Sequence, residues 1–137
     1  MAGLAQKLGV RAGHTVCLLD APAQLTGLLQ QESPEGATFA EALNSNRFDV
    51  IIFWPTEVAS LAARFAELQE HIVPEGVIWA VIPRKQFAAA HGLDFTWAQV
   101  QEAALQTDLV DNKVASVSPE EYATRFVIRK ERRVRHG

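Results

Sequence analysis

Phe48-Asp-Val-Ile-Ile-Phe-Trp54 decides the fold, because it is an almost unbroken run of β-branched and aromatic residues carrying one charge, Asp49. A strand wet on one face alternates apolar with polar residues, whereas a continuous apolar run is what a parallel strand covered on both faces looks like. Pro55-Thr56 stops the run. Gly76-Val-Ile-Trp-Ala-Val-Ile82 repeats the pattern and ends at Pro83-Arg84-Lys85. Between the two runs, Val58, Leu61, Ala62, Phe65, Leu68 and Ile72 recur at helical spacing, with Thr56 as the expected N-cap and Pro74-Glu75-Gly76 as the expected close. Two buried strands joined by an amphipathic helix connect through a right-handed crossover, so helices should cover both faces of a mostly parallel sheet.

The flanking chain extends this order. Leu4, Ala5 and Leu8 suggest a short helix ended by Gly9, and His14 to Asp20 reads as a buried first strand. Pro22 suits a helix start, and Leu25, Leu28 and Leu29 give that helix an apolar stripe. Ala37 to Leu43 is read as a short edge strand rather than a helical turn, since only about seven residues are available. Downstream, Thr96 and Gln99 form a capping box, with Phe95 placed to staple onto Val100. Asp108 to Val117 and Tyr122 to Lys130 read as two strands joined tightly enough to be antiparallel. The expectation is a three-layer, Rossmann-like α/β domain over residues 1–130 whose sheet ends in an antiparallel hairpin.

Composition narrows the function classes. The one cysteine, Cys17, sits in an apolar run, so no disulfide framework or thiolate cluster is available, and a reducing, cytoplasmic setting is expected. The apolar runs are too short to span a bilayer, so no membrane role is expected. Residues 1–128 hold 8 Lys/Arg against 15 Asp/Glu, while residues 129–137 hold 5 against 1. The body is acidic, and residues 131–137 form a basic C-terminal tail. An acidic body repels a phosphate backbone, so nucleic acid is not an expected partner. No two histidines lie three or four residues apart and no second cysteine exists, so no metal site is expected, and no nucleophile motif marks a catalytic residue.

The run from Phe48, the following helix, Val73-Pro-Glu-Gly-Val-Ile-Trp-Ala-Val and the closing hairpin together resemble the second half of a class I S-adenosylmethionine-dependent methyltransferase, over residues 48–130. Across nearly its whole length the chain also resembles a bacterial family of short methyltransferase-like proteins catalogued as a domain of unknown function. Leu4-Ala-Gln-Lys-Leu-Gly-Val, Val16-Cys-Leu-Leu-Asp-Ala-Pro, Leu109-Val-Asp-Asn-Lys-Val and Arg125-Phe-Val-Ile-Arg-Lys carry that second resemblance. The resemblance implies a cofactor held by a glycine-rich turn after the first strand, where a missing side chain lets the backbone approach. Here that turn reads Asp20-Ala-Pro-Ala-Gln24. It also implies an acidic residue ending the second strand, for which Glu41 is the nearest candidate. Only 27 residues lie between Asp20 and Phe48, whereas each parallel crossover needs about a dozen or more, so a strand-helix unit should be missing.

Ligands of open α/β sheets bind beyond the carboxyl ends of the strands. The residues expected there are Asp20, then Trp54, Thr56 and Glu57, then Arg84 and Lys85. Arg84 and Lys85 either simply end a strand in water, the preferred reading, or, beside the N-terminus of the Thr56 helix, form a modest site for a small anionic or nucleotide-like ligand. Asp111, Asn112 and Lys113 form a second polar group, either contacting a ligand or shaping a bulge. The combined expectation is a non-catalytic binding or interaction module, with a homodimer as one form it could take, a degenerate cofactor site and S-adenosylmethionine not favoured. The alternative is a methyltransferase or other small-molecule enzyme with a glycine-free pocket.

Overall fold

The computed structural model describes residues 3–93 and 96–136. The elements run α1 (Leu4–Lys7), β1 (Thr15–Leu19), α2 (Ala23–Glu32), β2 (Thr38–Ala40), β3 (Phe48–Phe53), α3 (Leu61–Gln69), β4 (Ile72–Pro83), α4 (Trp97–Leu105), β5 (Leu109–Ser116), β6 (Glu121–Ile128) and α5 (Arg133–His136). They build a six-stranded sheet in the order β2-β1-β3-β4-β6-β5. β2, β1, β3 and β4 are parallel, and β6 runs antiparallel to both of its neighbours. The hairpin therefore folds back on itself, with β6 inside the sheet and β5 at the edge.

Double-sided burial explains the continuous apolar runs. Val50, Ile52 and Trp54 face the layer of α1 and α2 together with Trp79 and Val81. Ile51 and Phe53 face the layer of α3 and α4 together with Ile78, Ala80 and Ile82. Phe65 on α3 meets Phe53 edge-on at 5.3 Å and Phe126 of β6 at 4.9 Å, which fastens α3 across the sheet. On the other face the fully buried Trp79 donates its indole N–H to the Leu8 carbonyl at 2.8 Å, tying the N-terminal segment to the fourth strand. Glu32 accepts from the Ala5 amide at 3.3 Å and joins α1 to α2.

Two boundaries differ from the sequence reading. The helix begins at Leu61 with Ser60 as its N-cap, not Thr56. Val58, expected on the apolar stripe of this helix, lies before it and is 38% exposed. Pro74-Glu75-Gly76 lies within β4 and does not close the helix, and Ile72 belongs to the strand. Phe48 pairs with Ile72 but Val50 pairs with Val77, so the residues between them bulge out of the ladder. Gly76 permits this: a Cβ there would lie 3.0 Å from the Val73 carbonyl oxygen and 3.1 Å from that of Asp49.

The short edge strand exists as β2, and no helix separates it from β3. Residues 41–47 make that crossover, and Leu43 packs into the α3/α4 layer in place of a helix. The capping box of Thr96 and Gln99 is present on both sides, while Phe95, the expected staple, lies outside the described residues. The basic C-terminal segment is helical through Lys130–Arg132 and α5, and Arg132 pairs with Asp108 at 2.9 Å while Arg133 donates to the Ile128 carbonyl at 3.0 Å.

Replacing the fully buried Ile52 by Asp strands a charge between two apolar layers. The expected loss is about 3–5 kcal/mol of unfolding free energy, read from denaturant midpoints at unchanged slope.

Candidate functional site

The strand order places a topological switch at β1. Its forward connection through α2 leads to β2 on one side, and the next strand, β3, pairs on the other. The two loops leaving the carboxyl ends of β1 and β3 diverge at such a switch and open a crevice between them. A cleft of about 280 Å³ lies there, bordered by Asp20, Trp54, Thr56, Glu57, Ser60 and Arg64. Four of the six residues expected at the strand ends are thus brought together. Ser60 and Arg64 escaped the sequence reading because they border the cleft only once α3 starts late.

The other two are elsewhere. Arg84 turns toward the hairpin loop, donating to the Pro119 carbonyl at 3.3 Å and to Ser116 Oγ at 3.0 Å, with its guanidinium 5.8 Å over the Tyr122 ring. Lys85 borders a different cavity, beside α4. The late start of α3 and the insertion of β6 next to β4 together remove the expected pairing of these cations with the N-terminus of α3. Of the charged groups that remain, Asp20 and Glu57 are carboxylates, and Arg64 is already paired with Glu67. Such a cleft suits hydroxyl donors or a cationic centre better than an anion.

The turn after β1 is unusual in its backbone. Asp20 has φ 62°, and it is the one non-glycine residue with positive φ among the described residues. This left-handed conformation favours glycine, and Asp and Asn tolerate it better than other side chains. Pro22 then takes the N-cap of α2 and brings no N–H of its own. Glu41 directly follows the last residue of β2, at that strand's carboxyl end and exposed, but does not border the cleft.

Two groups that do not border the cleft titrate away from their ordinary values. Burial pushes the Cys17 thiol up to about 11, with Arg64 partly offsetting it. Burial also raises the Glu121 carboxyl, opposed by His91, reinforced by Glu120 and opposed again by the Trp54 indole N–H. Trp54 Nε1 itself is buried without a partner in hydrogen-bonding geometry. His91 contacts Glu120 at 3.2 Å, and His14 Nδ1 accepts from the Arg11 amide at 3.2 Å. Among the described residues, no three His, Cys, Asp or Glu side chains group as a metal site.

Asp111, Asn112 and Lys113 lie far along the sheet, on edge strand β5. The register slips between Asp111 and Lys113, leaving Asn112 as the extra residue of a bulge. Asp111 accepts from Gln101 Nε2 at 3.0 Å, and Asn112 accepts from Arg125 Nε at 2.8 Å, so both polar side chains are used within the fold. Of the two readings the sequence allowed for this segment, the bulge is present.

No family model matches the chain, and no curated protein matches it by sequence. Solved structures do. An O-methyltransferase of neocarzinostatin biosynthesis, NcsB1, solved with S-adenosylmethionine and 2-hydroxy-5-methyl naphthoic acid, superposes with TM-score 0.70 at 12% identity, covering 93% of this chain and 52% of that one. The N-methyltransferase NodS from Bradyrhizobium japonicum gives 0.59 at 10% identity, covering 92% and 93%. A TehB-like S-adenosylmethionine-dependent methyltransferase from Corynebacterium glutamicum gives 0.55 at 10%, covering 91% and 85%. The chain has the Rossmann-like α/β fold of class I methyltransferases, and at these identities the likeness is one of fold.

Three outcomes follow from the site. Asp20→Gly should leave stability within about 1 kcal/mol of the parent, whereas Asp20→Val should cost about 1–3 kcal/mol, both read from denaturant unfolding. Native Cys17 should resist iodoacetamide at pH 7.5 and react only after unfolding, followed by mass spectrometry. Because the folded-state pKa of Glu121 is raised, the stability its neutral form contributes is complete below the ordinary value and is lost as pH rises from there through the raised value. Glu121→Gln should therefore be more stable than the parent at pH 7, with the difference vanishing below the ordinary value of 4.5.

Proposed function

We propose that the cleft between the ends of β1 and β3 holds an adenosyl compound, and that the chain acts as a methyltransferase with a glycine-free pocket. The observation carrying this reading is the meeting of Asp20, Thr56 and Glu57 around one cleft at the switch point of a methyltransferase-type sheet. Carboxylates there accept hydrogen bonds from ribose hydroxyls and balance a sulfonium charge. Kinship with the short bacterial methyltransferase-like family and a cytoplasmic setting go with this reading, the latter supported by the lone free thiol, Cys17.

The fit to that cofactor is divided. Asp20 and Glu41 supply acids at the ends of β1 and β2, while the turn between them offers Ala21, Pro22 and Ala23 where a bare backbone would approach the ligand. The crowded turn favours a second reading, a binding or interaction module without catalysis.

Thermal unfolding with S-adenosylmethionine and S-adenosylhomocysteine tests both. A ligand at 100 times its Kd stabilises by about 2.7 kcal/mol, a rise of several degrees for a domain this size. A saturable shift that Asp20→Asn and Glu57→Gln diminish supports the adenosyl site. A flat response to both compounds up to millimolar concentration overturns it and leaves the non-catalytic reading.

A further inference from the structure

A second cavity, of about 640 Å³, opens beyond the carboxyl end of β4 on the α4 side. It shares no bordering residue with the cleft at β1 and β3. The chain makes it by leaving β4 at Pro83, passing through a short 3-10 turn at Lys85–Phe87, and returning to start α4 at Trp97. The returning loop borders it with Ala88, Ala89 and Leu93, and α4 with Trp97 and Ala98.

Two aromatic rings stand in its wall, and both are held. Trp97 donates its indole N–H to Thr124 Oγ1 at 2.9 Å, and Thr124 is itself buried in β6. Tyr122 lies beneath the Arg84 guanidinium, which is anchored in turn to the hairpin loop. Rings fixed this way lose little freedom when a ligand stacks on them. The polar side chains at the border are few: the Lys85 ammonium, the Tyr122 hydroxyl and Thr96, whose oxygen already caps α4. Lys85 is exposed and makes no ion pair among the described residues, and no carboxylate of those residues borders the cavity. Size, apolar lining and a few polar groups at one side are the features of a small-molecule site.

We propose that this cavity binds an aromatic monocarboxylic acid, its rings against Trp97 and Tyr122 and its carboxylate at Lys85. Lys85, the one cation that borders the cavity among the described residues, sets the charge of the ligand, and the two ring walls set its flatness. This site stands independently of the adenosyl reading, because neither cleft contributes a residue to the other.

The test titrates 4-biphenylcarboxylate and its uncharged counterpart 4-biphenylmethanol into the full chain, following the Trp97 indole N–H resonance. The expected result is saturable binding of both, tighter for the acid. Lys85→Gln should weaken the acid about fivefold and leave the alcohol unchanged. Ala89→Trp should fill the cavity and remove both, with circular dichroism confirming the fold. If that variant misfolds, the selective loss in Lys85→Gln still decides. Absence of saturable binding, equal weakening of acid and alcohol by Lys85→Gln, or tighter capture of palmitate than of the biphenyl acid overturns the proposal.

Discussion

Everything in this fold follows from the need to cover β3 and β4 on both faces at once. Ile51, Ile52, Ile78 and Trp79 are all fully buried, although they point alternately to opposite sides of the sheet. A strand with no wet face needs a helix layer above and below, and this chain supplies α1 and α2 on one side and α3 and α4 on the other. Polar side chains are thereby driven off the sheet faces to its two ends. The clefts that matter chemically are therefore end features, formed by loops leaving the strands, and their character depends on where each helix starts.

The carboxyl end illustrates this dependence. Because α3 begins at Leu61, the segment from Pro55 to Ser60 stays open and lends Thr56, Glu57 and Ser60 to the cleft beside Asp20. Because β6 inserts next to β4, Arg84 finds partners in the hairpin loop and leaves the cleft acidic. Lys85, one residue further on, faces a separate apolar chamber. Adjacent residues in sequence thus take different places, one tied to the hairpin loop and one at the border of a cavity.

The layer architecture was legible because it depends on runs of apolar residues, and such runs report burial directly. Phe48–Phe53 and the capping box at Thr96 needed no tertiary knowledge. The start of α3 was not legible, since Thr56 is a cap by residue type, whereas the helix starts after Ser60, whose side chain makes no capping bond, and leaves Val58 exposed. Nor was the true start of β4: Pro74-Glu75-Gly76 carries the local signature of a helix ending, yet pairing with β3 pulls it into a bulged strand. The site was half visible for a similar reason. Residues at strand ends can be named from sequence, but which ends converge is set by strand order, and the left-handed backbone of Asp20 leaves no mark in its side chain.

The hydrogen bond from Trp79 to Leu8 joins residues 71 apart in sequence. Contacts of such separation are secured only after the intervening chain has collapsed, since loop closure must precede them. The segment from Leu4 to Val10 behaves, on this account, as a clasp over a sheet already assembled, held by one buried carbonyl acceptor, the Ala5 amide on Glu32 and a few apolar side chains. Amide exchange along α1 would then run through a partial opening of lower free energy than global unfolding, baring Trp79 while β3 and the α3 layer stay closed.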